Sequence, residues 1–506
     1  YREIMREFGT MEDFDRLLKE IHKREMRLVL DLVVNHTSDE HPWFEEARKS
    51  RHNPYYNYYH WWPAEKGEPP LRLSYFDEEG NAWMYNKSTD SYYLHYFSRK
   101  QPDLNWENPE VRQEIFDMMR FWFDKGIDGF RMDSISLIAK DPSFPLIDSK
   151  KYPDIFSFYA KEPRLHLYLH EMNRQVLSKY DCMSVGEGSA VMVDDVAKFV
   201  DPAREELNML YHFDAARIRN TTLPDNPESG IDYSLIALKK MFTEWDKAVD
   251  KGWPSIYLGN HDQPRMVSRF GSDKDEFRAL SAKMLITFLL TMRGTPYWFA
   301  GDEIGMRNIR FDRIEDYNDI DTINRYKKAK AEGKDPQAVL DEQKETGRDN
   351  ARTPFQWDRS PEAGFTAGTP WLKVNPDYTW INVADEEKDP TSILNYFKKV
   401  VSFRKENPSL IYGSYHLLDA ENPQSYTFLR KTGADTYLIM LNFSPKAAIS
   451  TPGIDMSNAH VLLDNYGDRS HMAPQKDITL RPFEAIVFQL NHPVYESFID
   501  SLDLLE

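Results

Sequence analysis

The chain has 506 residues, of which 41% are hydrophobic and 29% charged, and its 82 Asp and Glu outnumber its 64 Lys and Arg to give a net charge of −18. That apolar share supports a sizeable core and excludes a disordered chain. The acidic balance repels phosphate backbones and argues against a nucleic-acid partner.

The first residue is Tyr1, and the chain opens directly into an amphipathic pattern, so an upstream segment is expected to be missing from it. Apolar spacing predicts a helix over Met11 to Arg24. Arg27 to Val34, RLVLDLVV, reads as a strand buried on both faces, as in a parallel sheet. The stretch 37–108 is too long for a connecting loop and is read as a small inserted domain, crowded with aromatics from Trp43 to Phe97. Helices are then expected at Val111 to Asp124, Pro163 to Tyr180, Ile231 to Val249 and Glu276 to Met292. Strands are expected at Ile127 to Asp133, Met183 to Glu187, Leu207 to Asp214, Ser255 to Asp262 and Thr295 to Asp302. Strands alternating with helices predict a parallel α/β fold. Cys182, the lone cysteine, excludes an intrachain disulfide and a thiolate metal cluster and reads as a packed side chain in a reducing, cytoplasmic setting.

Tyr326 to Gly347, rich in Lys, Glu and Ala, reads as one exposed helix, and Ile393 to Glu406 as the last helix. From about Ile411 the pattern turns to short alternating strands, including Tyr426 to Arg430, Thr436 to Asn442 and Ala485 to Leu490, which predict an all-β domain over 411–492. An acidic tail, 493–506, follows. No run of about 20 apolar residues predicts a membrane span, and no Gly-rich phosphate loop predicts nucleotide binding.

Polar groups recur at the expected strand ends: Arg131 and Asp133, Glu187, His261 and Asp262, Asp302 and Glu303. In an eight-stranded barrel those ends form the catalytic face. Asp133, Glu187 and Asp262 lie 54 and 75 residues apart, so only the fold can gather them. Two carboxylates about 5–5.5 Å apart serve a retaining glycosidase as nucleophile and acid/base. Arg131, two residues before Asp133, points the same way on a strand and would hold that carboxylate ionised, while burial and its acidic neighbours would raise Glu187. His36 and His261 offer hydrogen bonds to sugar hydroxyls. Singly, each feature reads as ordinarily as a cap, a core histidine or a packed aromatic.

Six strings occur in order: DLVVNHTSDEH from Asp31, QPDLNW from Gln101, GFRMDSI from Gly129, SVGEG from Ser184, NHDQPR from Asn260 and RDNARTPFQWD from Arg348. Together they resemble glycoside hydrolase family 13, the α-amylase family, in its oligo-1,6-glucosidase and α-glucosidase branch. The resemblance implies a (β/α)8 barrel over 1–36 and 109–410, lacking its first strands, with an inserted domain at 37–108 and a C-terminal β-sandwich. It implies Asp133 as nucleophile, Glu187 as general acid/base and Asp262 as the carboxylate stabilising the transition state. Arg131, His36 and His261 match residues that hold the sugar, and Arg352 one that bounds the glucose end. Phe76, Phe97 and Gln101 are expected to line the same pocket, and Asp31 and Asn35 to be structural.

The expected reaction is retaining, exo-acting hydrolysis of short α-linked gluco-oligosaccharides or of maltose- and sucrose-type disaccharides. Ser134, after the nucleophile, leans toward the latter. The alternative within the family is a sucrose isomerase or transglucosylase, suggested by the charged segment FDAARIRN from Phe213, whose bland reading is a solvated loop. A non-catalytic partner subunit and a sugar-binding protein are the readings outside enzymes. No cofactor is expected and no metal ligand is assigned within the chain; calcium is implied only through the segment expected upstream of Tyr1. Without that segment, poor folding or low activity is expected. The chain is expected to act as a monomer or weak homo-oligomer.

Overall fold

The computed structural model describes residues 1–76, 80–148, 150–152, 155–433, 435–470 and 475–490. The expected acidic tail lies outside the described residues. Among those described, sixteen strands run in chain order: β1 Val29–Val33, β2 Trp61–Pro63, β3 Trp83–Asn86, β4 Ser91–Leu94, β5 Gly129–Asp133, β6 Met183–Glu187, β7 Met209–Tyr211, β8 Ser255–Ile256, β9 Thr295–Pro296, β10 Ser414–Leu418, β11 Ser425–Thr432, β12 Asp435–Asn442, β13 Ala448–Ser450, β14 Ala459–Asp464, β15 Ile478–Leu480 and β16 Ala485–Leu490. The chain divides into two units, one of Tyr1–Phe213 with Ala248–Trp253, the other of Asp214–Lys247 with Pro254–Glu506.

The first unit holds a parallel sheet in the order β1-β5-β6-β7. Parallel strands need helices between them, and the helices before β1 and before β5 have clear ends. The helix Met11–Lys23 starts on a reciprocal pair, in which the Asp13 amide donates to the Thr10 hydroxyl and the Thr10 amide to the Asp13 carboxylate. The helix Pro109–Lys125 starts on Asn108, with Pro at its first turn, and buries Val111, Ile115, Phe116, Met119, Trp122 and Phe123. Where β5 meets β6 the backbones close tightly. A Cβ on Gly129 would sit 2.2 Å from the Met183 carbonyl oxygen, so only glycine fits.

Within 37–108 lies an antiparallel sheet in the order β2-β4-β3. Its aromatics pack mostly on one another: Phe44 meets Tyr59 and Tyr93 edge-on at 5.0 Å, and Tyr56 stacks on Trp61 at 4.9 Å. His60 is buried here, its ring edge-on to Phe144. Burial, reinforced by the charges of Lys140 and Arg164, drives His60 well below its usual 6.5, against a backbone hydrogen bond with Leu104. Below about pH 6.5 the unfolded chain therefore binds a proton that the folded one refuses, and stability is lost as pH falls. His60→Gln cannot titrate. Its urea midpoint is expected to fall less steeply than the wild-type value between pH 7 and pH 4.5; parallel profiles would contradict the assignment.

The second unit contains the parallel pair β8-β9, a buried helix at Arg278–Thr291 and the C-terminal sheets. One sheet is antiparallel in the order β10-β11-β12-β16-β14, and a second pairs β13 with β15. Leu429, Leu438, Met440, Ile478, Leu480, Ile486 and Phe488 form the core of this β region.

Three expectations change. Tyr326 to Gly347 is not one exposed helix but parts of two, Ile320–Ala331 and Pro336–Thr346. Gly333, at φ +69°, and Pro336 break the run, and Thr322, Ala329, Leu340 and Gln343 are buried. The FDAARIRN segment is not a loop: Asp214–Thr221 is helical, and the Arg219 guanidinium donates to the Arg269 carbonyl at 2.8 Å. The strands expected at Ser255 to Asp262 and Thr295 to Asp302 span two residues each, since their ladder pairs only Ser255 with Thr295 and Ile256 with Pro296 before the backbone turns irregular. Among the described residues no helix is long and apolar enough to cross a membrane.

Candidate active site

The parallel register sets the first part of the site. Asp31 pairs with Arg131, Val33 with Asp133, Met132 with Gly186, and Glu187 with Tyr211. Asp133 and Glu187 are thus the next residues in register on adjacent strands, about 4.8 Å apart at the backbone, and their side chains leave the same face. Arg131 sits one pleat below and ties the group together. Its Nη1 donates to Asp133 Oδ1 at 2.8 Å and to Asp31 Oδ1 at 2.8 Å. Its Nη2 donates to Glu187 Oε2 at 2.5 Å and to the Tyr211 hydroxyl at 2.6 Å. Burial alone would lower the Arg131 pKa; Glu187, Tyr211 and Asp31 outweigh it and hold the guanidinium firmly charged.

Arg131 contacts Asp133, as its place two residues earlier on the strand suggested, and the same guanidinium also bonds Glu187. Glu187 is 6% exposed. It also accepts from the Ser134 amide at 3.1 Å and from the Ser189 hydroxyl at 3.3 Å. Ser134 has φ 44°, a left-handed conformation that costs a non-glycine residue about 1–2 kcal/mol. That twist turns its amide toward Glu187 immediately after Asp133. Its side chain is buried.

A second cluster in the same unit gathers the expected pocket residues. The Gln101 amide nitrogen meets His36 Nε2 at 3.0 Å, and the Gln101 oxygen accepts from the Ser98 amide. Phe97 lies 5.2 Å from the His36 ring and 5.8 Å from Phe76. Burial, and then the charge of Lys140, push His36 down to about 3, so it is neutral and can exchange hydrogen bonds without adding charge. Behind it Lys140 Nζ donates to Asn35 Oδ1 at 2.6 Å and contacts Asp103 Oδ2 at 3.1 Å, both side chains fully enclosed. Burial pushes Asp103 up to about 6 and Lys140 down, and their mutual contact opposes both shifts. Asn35 belongs to this support, as expected.

In the second unit Asp262 rides on a turn, its amide donating to Asn260 Oδ1 at 2.8 Å. Asp262 Oδ1 accepts from Arg352 Nη2 at 2.8 Å and from Arg348 Nη1 at 3.2 Å. Arg352 Nε donates to the His261 carbonyl at 2.8 Å, and the His261 ring lies 3.3 Å from Asp262 Oδ2. Asp319, buried at the start of the helix Ile320–Ala331, bonds Arg348 and lies 3.9 Å from Arg352. Asp302 is a buried partner of Arg265, and burial pushes it up to about 7.

Of the eleven expected residues, Asp133, Glu187, Arg131 and Ser134 form one cluster and His36, Phe76, Phe97 and Gln101 another, while Asp262, His261 and Arg352 meet in the second unit. Tyr211, Ser189, Arg348 and Asp319 were not anticipated. Arg348 stands inside a quoted string, whereas Tyr211 and Asp319 carry only a strand and a helix-start signal. Cys182 donates to the Leu177 carbonyl at 3.5 Å, and burial pushes its thiol up to about 11, which removes it as a nucleophile. Among the described residues no group of three or more His, Cys, Asp and Glu is arranged to hold a metal ion.

Residues 1–413 match the alpha amylase catalytic domain family. The chain belongs to glycoside hydrolase family 13. It is 49% identical over 504 residues to oligo-1,6-glucosidase of Parageobacillus thermoglucosidasius, covering 97% of this chain and 88% of the relative. It is 46% identical over 500 residues to oligo-1,6-glucosidase of Bacillus cereus, with the same coverage. A solved structure of an isomaltulose synthase variant from Erwinia rhapontici NX5, in complex with sucrose, superposes with a TM-score of 0.91 at 41% identity, over 97% of this chain and 88% of that one. This family-13 chain is a glycoside hydrolase with a (β/α)8 barrel and a C-terminal β domain.

Proposed function

We propose that the protein is a retaining α-glucosidase that removes single glucose units from short α-linked oligosaccharides, with Asp133 as nucleophile and Glu187 as acid/base. The observation that carries this reading is the shared guanidinium: Arg131 holds two carboxylates that follow in register on adjacent strands. Two carboxylates held by one guanidinium on neighbouring strands fit the short spacing, about 5–5.5 Å, that a double-displacement mechanism uses.

In the first step Glu187 protonates the glycosidic oxygen while Asp133 attacks the anomeric carbon. In the second, Glu187 accepts a proton from water, which attacks the glycosyl ester and releases glucose with net retention. A carboxylate clasped by Arg131 is a poor acid, so substrate entry must loosen the Glu187 contact, and the three other partners of Arg131 remain to hold it in place. Asp262, fixed by Arg348 and Arg352, stabilises the oxocarbenium-like transition state. His36, His261, Phe76, Phe97, Gln101 and Arg352 hold the glucose, and Ser134 acts through its amide on Glu187.

Identity to oligo-1,6-glucosidases supports α-1,6-linked substrates first. The likeness to a sucrose-bound isomaltulose synthase keeps isomerisation as the second reading. The test is product analysis by chromatography on isomaltose, maltose and sucrose. Glucose released with retained α-configuration, fastest from isomaltose, is the expected result. Isomaltulose from sucrose would move the assignment to isomerase, and inverted β-glucose would overturn the two-carboxylate mechanism.

A further inference from the structure

Both ring nitrogens of His36 face side-chain amides. Asn35 Nδ2 stands 3.2 Å from Nδ1, and Gln101 Nε2 stands 3.0 Å from Nε2. An amide nitrogen only donates, so each contact asks the ring nitrogen beside it to accept. A neutral imidazole accepts at one nitrogen and carries its proton on the other. One of the two amides must give way, and the surroundings of each decide which.

Asn35 is held by charge on both sides. Its oxygen accepts from Lys140 Nζ at 2.6 Å, and an ammonium only donates, so the amide cannot turn its nitrogen to that side. Its nitrogen also donates to Asp103 Oδ1 at 3.4 Å. Asp103 Oδ2 lies 3.1 Å from Lys140 Nζ, and Asn35, Lys140 and Asp103 are all buried. The Gln101 contact is the shorter one, but its orientation rests on one neutral bond, from the Ser98 amide to its oxygen at 3.1 Å, and Gln101 is only half-buried. Charge-assisted hydrogen bonds are roughly twice as strong as neutral ones, and stronger again away from water. Asn35 therefore keeps its place and Gln101 yields.

We propose that Lys140, with Asp103 beside it, is a positioning residue: through Asn35 it holds the His36 proton on Nε2, so the ring meets substrate as a hydrogen-bond donor. The Gln101 nitrogen donates from the same side, and the pair suits an oxygen with two lone pairs, as a sugar hydroxyl has. In the other tautomer Nε2 would accept and would demand that hydroxyl's proton. This inference rests on the reading of His36 as a residue that holds the glucose, but the tautomer is read without substrate.

Nitrogen NMR of the chain carrying isotopically labelled histidine tests it, the His36 ring signals being those absent from His36→Gln. At pH 7 the wild-type chain is expected to show a protonated Nε2 and an unprotonated Nδ1. Lys140→Met leaves Asp103 buried without its cation, where a carboxyl takes up a proton, and neither neighbour then fixes the Asn35 amide. The His36 proton is expected to move to Nδ1 or to be shared between the two nitrogens. Should that variant not fold, Lys140→Met with Asp103→Asn removes both charges and carries the same expectation. A wild-type ring protonated on Nδ1, or an unchanged Nε2 proton in the variant, would overturn the proposal. Kinetics on isomaltose gives a second readout. One misdirected hydrogen bond is worth about tenfold in kcat/KM, so Lys140→Met is expected to cost about tenfold in the wild-type background and about threefold or less in His36→Gln. An undiminished loss in His36→Gln would make Lys140 merely structural. Were the wild-type chain to turn over nothing, the glucosidase reading would fall by itself, and the NMR result would still decide the tautomer.

Discussion

Asp133→Ala is expected to lower kcat/KM on isomaltose by about 10⁴-fold or more, because it removes the atom that forms the glycosyl ester. The alternative role for Asp133, electrostatic support of a water-first attack, predicts a different residue pattern. A direct water attack uses carboxylates about 6.5–9.5 Å apart, a wider setting than adjacent in-register strands favour. The loss should fall on kcat, since Asp133 binds substrate less in the ground state than in the transition state. The fold should survive: Arg131 keeps Asp31, Glu187 and Tyr211 when Asp133 is gone. A slow fluorinated glucosyl donor gives a direct readout. The wild-type chain should gain the mass of one glucosyl group and Asp133→Ala none. Activity within tenfold of wild type, or a glucosyl group trapped elsewhere, would remove Asp133 from the role.

The sequence made some of this visible and hid the rest for physical reasons. Strand β6 falls on Met183–Glu187, the bounds expected for it, with Ser184, Val185, Gly186 and Glu187 all buried and its polar members bonded to Asn208 and Arg131. Asp133, Glu187 and Asp262 stood out as isolated carboxylates at the ends of expected strands. Their company was harder to see. Arg131 was legible as a neighbour of Asp133 through the two-residue repeat of a strand, but its bond to Glu187 depends on strand order, which no local pattern encodes. Ser134 gave no sign of its left-handed backbone, since serine has no preference for that region. The strand before Asp262 was read too long because Tyr257 and Leu258 continue the apolar run. The ladder stops at Ile256, and further on the Asn260 side chain builds the turn that carries Asp262 by accepting from its amide, an asparagine signal that was present and outvoted. Asp319 announces a helix start and nothing more, yet it bonds an arginine that bonds Asp262.

Arg131→Lys should show what that guanidinium does. Lysine keeps the charge and loses the fork. An ammonium can reach one or two of the four partners, Asp31, Asp133, Glu187 and Tyr211, and must leave the others without a cation in a mostly enclosed site. Each charge-assisted hydrogen bond lost there is worth about 1.5–3 kcal/mol, and the terms do not simply add. The expected result is a fall in kcat/KM of about 10³-fold and a loss of stability near 3 kcal/mol, read from urea denaturation. The pH profile separates electrostatic from structural damage. A carboxylate deprived of its cation holds its proton more tightly, so the acid limb of kcat/KM should move to higher pH in the variant. Damage that merely deforms the sheet would lower the whole profile without moving that limb. An unmoved acid limb with full activity would mean that the strands alone place Asp133 and Glu187, and that the shared arginine is incidental to the chemistry.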